Sequence, residues 1–266
     1  MTRNVKVSAI YSLPRYGPIR HWDCVVHAFC KAGIYPYQGT GVYWSQSLDK
    51  LLDVIVAEDQ AEAVITCDFD SMFTMEDVQR LCDRFFRNPE IDALIPMQAK
   101  RSSGVFLGMA EENLGSVDGY RRARSGHFGM TIIGVDALKR MRKPWFHSRP
   151  DSNGGYWGDD KVDPDMWFWE EFNKSGNVAY FDETIYVGHI EECVAVLSED
   201  GSRIERITME KWYERFAPGR LQKERPIGKA EQKAKKITLP GWGVIERFSI
   251  SPATTIHDSE GAKRTA

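Results

Sequence analysis

Hydrophobic positions along the chain fall into short alternating runs and longer runs of helical period, and the two kinds take turns. Val5-Lys6-Val7-Ser8-Ala9-Ile10-Tyr11 alternates as a first strand, and Ser12-Leu13-Pro14-Arg15-Tyr16-Gly17-Pro18 reads as a turn. Trp22, Val25, Val26 and Phe29 then share one helical face, with Gly33 as the stop. Leu48, Leu51, Leu52, Ile55 and Val56 repeat helically behind Ser45 or Ser47 as cap. Next comes Ala63-Val64-Ile65-Thr66-Cys67, an apolar, β-branched run that reads as a buried strand and ends in Asp68-Phe69-Asp70. Thr74 caps a third helix whose Val78, Leu81, Cys82 and Phe85 share a face, and residues 91–96 form the next strand.

Residues 97–127 are polar and read as a mobile excursion around a strand candidate, Val105-Phe106-Leu107. A core strand is expected over 129–134, followed by the irregular, glycine-rich stretch 152–163. Asp163 before Pro164 suits a helix N-cap, and Asp165 lies in the first turn of the aromatic helix Met166-Trp167-Phe168-Trp169-Glu170-Glu171-Phe172. Strands follow at 178–181 and 184–187, the second ending in Gly188-His189. This order predicts an α/β fold with a doubly wound, mostly parallel sheet flanked by helices. It occupies residues 1–195, with 196–266 as a C-terminal extension in which 205–216 is helical and 251–266 flexible.

Composition adds little to the fold but narrows the setting. A chain of 266 residues that is 42% hydrophobic and 12% aromatic buries a sizeable core, and no run approaches the ~18 apolar residues of a membrane span. We read it as soluble and cytoplasmic. Cys24, Cys30, Cys67, Cys82 and Cys193 lack C-x-x-C spacing and read as reduced, buried thiols. Net charge is -3, yet residues 203–236 carry 11 Lys/Arg against 5 Glu, a basic arm of +6 that is either a solvated helix face or a handle for an acidic partner.

The candidate chemistry starts at Asp68 and Asp70. In open α/β sheets ligands sit beyond the carboxyl ends of the strands, where these two hard oxygen donors would suit Mg²⁺ or Mn²⁺ on a diphosphate. Taken alone, Asp-x-Asp reads equally well as a strand end with an Asx turn. Asp165 could act as a general base if the aromatic wall of Trp167 and Trp169 raises its pKa. His189 alone is an ordinary strand-end histidine.

An acidic pair after a core strand, an acidic residue opening a late helix and a strand ending in Gly-His together resemble the GT-A glycosyltransferases that use nucleotide sugars, of the inverting, family-2-like kind. The resemblance covers about residues 5–192. It implies that Asp68 and Asp70 hold the metal on the donor diphosphate, that His189 is a further metal ligand, and that Asp165 is the base. Tyr11 and the loop carrying Arg15 lie where that family holds the nucleotide, with UDP the implied carrier and a hexose the implied cargo. The loop lacks the family's Pro-x-Tyr-Asn start, and no Gln-x-x-Arg-Trp follows Asp165, which argues against a processive synthase.

The acceptor is a glycan or a nucleic acid. Lys100, Arg101, Arg121, Arg122 and Arg124 crowd one excursion and would suit a polyanion such as DNA carrying a hydroxymethylated base, against which Trp44, Tyr156 or Trp157 could stack. Two alternatives remain. Asp68-Phe69-Asp70 also resembles the nucleophile motif of haloacid-dehalogenase-type phosphatases, with Gly158-Asp159-Asp160-Lys161-Val162-Asp163 as the late acidic motif, and a non-catalytic protein could use the same surface to hold a glycan or nucleic acid.

Overall fold

The computed structural model describes residues 6–13, 19–41, 43–100, 106–111, 115–156, 158–191, 193–198, 200, 202–216, 235–239 and 243–247. Its elements are β1 (Val7–Leu13), α1 (Ile19–Lys31), β2 (Pro36–Thr40), α2 (Trp44–Glu58), β3 (Ala63–Cys67), β4 (Ser71–Met72), α3 (Met75–Phe86), β5 (Ala93–Gln98), β6 (Gly108–Ala110) and β7 (Tyr120–Gly126). These are followed by β8 (Thr131–Gly134), α4 (Val135–Arg140), α5 (Pro164–Lys174), β9 (Ala179–His189), β10 (Cys193–Leu197), β11 (Ile204–Thr208), α6 (Met209–Phe216), β12 (Lys235–Leu239) and β13 (Gly243–Arg247).

The main sheet has the order β2-β1-β3-β8-β5-β9-β7-β6, with β4 paired to β9. Its pairings make β1, β2, β3, β5, β6 and β9 run one way, so the sheet is mostly parallel, as the alternation of strands and helices predicts. β8 and β7 are the exceptions inside the sheet, β8 antiparallel to both β3 and β5 and β7 to both β9 and β6. Parallel neighbours need a helical crossover, and β8 is entered from β7 with no helix between. Contacts divide the chain into two units, residues 1–193 and 194–266; the second holds the hairpins β10–β11 and β12–β13 and the helix α6.

β3 shows why its sequence is a continuous apolar run. Val64 faces the cluster of Leu48, Leu52, Phe168 and Phe172, while Ala63, Ile65 and Cys67 face Val25, Phe29, Val78 and Leu81. Both faces are covered by helices, so every residue of the strand is buried. Burying one such large side chain stabilises by about 1.5–3 kcal/mol. α3 starts as expected: the Thr74 hydroxyl accepts from the Asp77 N–H, and the Asp77 carboxylate accepts from the Thr74 N–H.

Several expectations are corrected. α2 begins at Trp44 with Tyr43 in the cap position and no side-chain cap; Ser47 is already inside the helix, its hydroxyl donating to the Tyr43 carbonyl. The polar excursion contains β7, a strand of the main sheet that pairs with β9. Its Tyr-Arg-Arg-Ala-Arg-Ser-Gly sequence hides that, because its arginines extend to solvent and acidic partners while Ala123, Ser125 and Gly126 go inward. The two late strands are one long strand, β9, whose register against β5 shifts after Pro96. Residues 204–208 are extended in β11, and only 209–216 are helical. Cys30 and Cys193 are exposed, though all five thiols are free. Among the described residues no helix is long and apolar enough to cross a membrane. Arg15, Arg101, Trp157, most of the basic arm and the tail 251–266 lie outside the described residues.

Candidate active site

The strands that run in the common direction end on one side of the sheet, and the candidate residues gather there because of the short strand β4. Asp68 follows β3, a turn closed by the Ser71 N–H on the Asp68 carbonyl brings the chain round, and Ser71 pairs with His189 at the end of β9. The Ile190 N–H donates to the Asp70 carbonyl at 2.7 Å, which stitches the two segments together. As a result His189 Nε2 lies 3.1 Å from Asp70 Oδ2, both side chains nearly buried. His189 Nδ1 lies 3.0 Å from the Ala99 carbonyl, just beyond β5. A carbonyl only accepts, so Nδ1 carries a proton and donates. That leaves Nε2 pointing at a carboxylate, which is stable when Nε2 is protonated as well or when a cation lies between the two groups.

Asp68 is held differently. The Trp44 indole N–H at the start of α2 donates to Asp68 Oδ1. The indole is clamped edge-on by Phe128 and Phe146, at ring separations of 5.4 and 5.3 Å, so it is half-buried and turned toward protein. Burial raises the Asp68 pKa to about 7; the Trp44 bond and the His189 charge pull it down, while the charges of Asp70 and Asp165 push it up. Asp165, from α5, is thus near enough to act electrostatically on Asp68. Its own carboxyl is raised above the usual range, first by burial and then by the charge of Asp163, against the Met166 N–H that donates to its Oδ1 at 2.9 Å. The cause is burial in general: Trp169 turns into the core to donate to the Gly126 carbonyl, and Trp167 donates to that of Pro144. Asp163 sits at the cap position of α5, but its carboxylate takes the Lys161 ammonium at 2.6 Å in place of a backbone N–H.

Behind these residues lies a polar layer that the sequence did not announce. Gln98, the last residue of β5, donates from Nε2 to Ser71 Oγ at 3.1 Å and to the Gly188 carbonyl at 3.2 Å. A Cβ on Gly129 would lie 2.6 Å from Ser71 Oγ and 2.7 Å from Gln98 Oε1, so only glycine lets the chain pass. His127 accepts the Gly129 N–H on Nδ1 at 3.0 Å and therefore donates from Nε2 to the Pro96 carbonyl at 2.7 Å. Burial pushes its pKa down to about 4, so it is neutral at pH 7. His21 on α1 donates from Nδ1 to the Ser71 carbonyl, also with its pKa lowered by burial, and its Nε2 has no hydrogen-bond partner among the described residues. Gln98 was recognisable in principle as a polar residue ending an apolar strand on the ligand side; His21 and His127 carry no such mark.

The other expected residues lie elsewhere. Tyr11 is 2% exposed, its hydroxyl donating to Gln38 and raised to about 12 by burial, so it presents no face to a nucleotide. Tyr156 is exposed on the loop before α5. Arg121 and Arg122 pair with Glu183 and Glu111, Arg122 also lying over the Tyr180 ring, and both oppose the first half of β9, whereas His189 is that strand's last residue. Arg124 is exposed two residues further along β7. These pairings engage Arg121 and Arg122 with acidic partners opposite the first half of β9. Asp159 and Asp160 sit in an exposed turn and not at a strand end, contrary to the phosphatase alternative. Among the described residues no three His, Cys, Asp or Glu side chains form a ready-made metal cluster; Asp68 is bonded by Trp44 and Asp70 by His189.

No protein-family profile matches the sequence, and no curated protein matches it. Among solved structures, A197 from STIV is similar over 76% of this chain and 94% of its own, with 14% identity and a TM-score of 0.53. That likeness shows the fold alone. GalNAc-T7, solved with UDP, GalNAc and Mn²⁺, covers 71% of this chain and 44% of its own at 11% identity and a TM-score of 0.44, too low to bear on function.

Proposed function

We propose that the unit up to residue 193 is a metal-dependent glycosyltransferase that moves a sugar from a nucleoside diphosphate to an acceptor hydroxyl. The observation that carries this reading is the meeting of His189 with Asp70 beside Asp68 at the carboxyl end of the sheet, within the electrostatic reach of Asp165. Among the described residues no three such side chains stand as a ready-made site, but the donor types are ones a divalent cation takes: two carboxylates suit Mn²⁺ or Mg²⁺, and an imidazole whose Nδ1 is fixed by a backbone carbonyl is a nitrogen ligand better suited to Mn²⁺. Asp68, Asp70 and His189 would hold it, and when bound it supplies positive charge to the departing diphosphate.

Asp165 then takes the proton of the acceptor hydroxyl as that oxygen bonds to the anomeric carbon and the bond from that carbon to the diphosphate breaks, with inversion in a single displacement. Its raised pKa suits a base that must hold a proton transiently. Phe128 and Phe146 pack against the Trp44 indole that donates to Asp68. The resemblance favours UDP as carrier, and the exposed ring of Tyr156 suits a sugar acceptor better than a polyanion.

Thermal melting of the full chain with UDP, GDP and CDP, each with and without Mn²⁺, tests the reading. A ligand at 100 times its Kd adds about 2.7 kcal/mol to stability. A shift that requires both nucleotide and metal is expected; no shift with any of them would refute the proposal.

A further inference from the structure

We infer that Trp44 is a positioning residue for Asp68, resting on the function proposed above: its indole N–H holds one carboxylate oxygen so that the other is presented to the cation and donor. Three features lead there. An indole has a single N–H and no acceptor, so the Trp44 bond to Asp68 Oδ1 has only one possible polarity. The ring direction is set by the core and not by solvent, because Phe128 and Phe146 meet it edge-on from one protein cluster that also includes Phe168 and Trp169. And Trp44 belongs to the first turn of α2, whose N-cap residue makes no side-chain bond, so no local cap competes for the position of this turn.

The consequence is geometric. A carboxylate at a strand end with both oxygens in solvent rotates and can bind an ion through either or both. With Oδ1 engaged, Asp68 offers Oδ2, and its plane is fixed by an aromatic stack built from α2, α5 and the segments before β8 and α5. Residues that hold a ligating group through the atom the ion does not use are worth 10- to 100-fold in metal affinity. Trp44 therefore links the packing of the aromatic core to donor binding, and its place in the chain, 24 residues before Asp68, is far enough for the contact to be invisible as a local motif.

The test uses the full chain and Mn²⁺ itself, read by the EPR signal of the free ion and by the line shape of the bound ion, with and without UDP. Trp44→Phe keeps an aromatic ring and removes the N–H; Phe172→Leu loosens the same core cluster at a ring that meets Phe168 and Trp169 and leaves the Trp44 N–H in place; melting temperatures of both report folding. The expected result is a 10- to 100-fold loss of Mn²⁺ affinity and an altered bound-ion spectrum in Trp44→Phe, with Phe172→Leu near wild type. Unchanged affinity and spectrum in Trp44→Phe would overturn the inference and leave the proposed function standing. Equal losses in both variants would overturn it in favour of packing. Wild-type protein that binds no Mn²⁺ even with UDP would overturn the function, and the inference with it.

Discussion

Two groups of aspartates stand in contrast in this molecule, the pair after β3 and those of the loop before α5. In the loop, Asp151 accepts backbone N–H bonds from Asn153 and Gly155 on Oδ1 and from Gly158 on Oδ2, at 2.8 to 2.9 Å. Asp160 accepts from the Ser152 N–H, which holds its carboxyl below the usual range. After β3, Asp68 has one neutral donor and a buried setting, and its carboxyl rises to about 7. What separates the two groups is the supply of backbone donors. A carboxylate surrounded by N–H groups is a structural clasp, ionised and committed; one buried with few donors and other carboxylates nearby gains from a cation or a proton. By sequence alone, Gly158-Asp159-Asp160 and Asp68-Phe69-Asp70 are both acidic pairs beside aromatic residues.

The sharpest way to test that division is to alter the buried group that has no cation role. Asp165→Asn is expected to lower turnover about 10²-fold or more with donor affinity nearly unchanged, while His189→Ala loses metal-dependent donor binding. Steady-state kinetics beside donor titrations distinguish the two, and equal loss of donor affinity in both would remove Asp165 from the role of base.

A smaller effect concerns pH. The folded-state pKa of Asp68, about 7, lies above that of an unfolded aspartate, near 3.9, so between those values the folded protein binds the extra proton. Its contribution is fully present below about pH 4 and is lost as pH rises to about 7, and Asp165 acts in the same direction. Metal-free wild type should therefore lose melting temperature across this window relative to Asp68→Asn. A difference between the two that does not change with pH would contradict the buried, donor-poor setting.

The smallest effect is expected in the loop. Asp151→Ala removes three backbone bonds at a partly exposed site and should cost about 1 kcal/mol in chemical denaturation, with earlier proteolytic cutting between 151 and 160 and unchanged Mn²⁺ binding. Loss of metal binding in this variant would mean that the two acidic groups act together.

Much of the fold was legible because its elements are locally consistent. The covered strand β3, the capping box of α3 and the glycine after α1, with φ of 76°, each state their structure within a few residues. β7 was not legible, since a strand whose arginines find partners across the sheet is written like a loop. Tyr11 was misleading for the converse reason: an aromatic residue at a strand end looks like a binding platform until neighbouring elements cover it.

The sequence by itself determined the alternation of strands and helices, the carboxyl-end position of Asp68 and Asp70, and the helical start beside Asp165, all of which follow from periodicity and from short-range backbone chemistry. Only the tertiary structure decided that His189 meets Asp70 through the pairing of β4 with β9, that Trp44 faces Asp68, and that Arg121 and Arg122 of β7 are engaged with acidic partners. Those contacts join residues 11 to 119 positions apart, and no local preference encodes them. They exist because burying both faces of the sheet leaves one arrangement of its strands, and that arrangement sets which side chains share the far end.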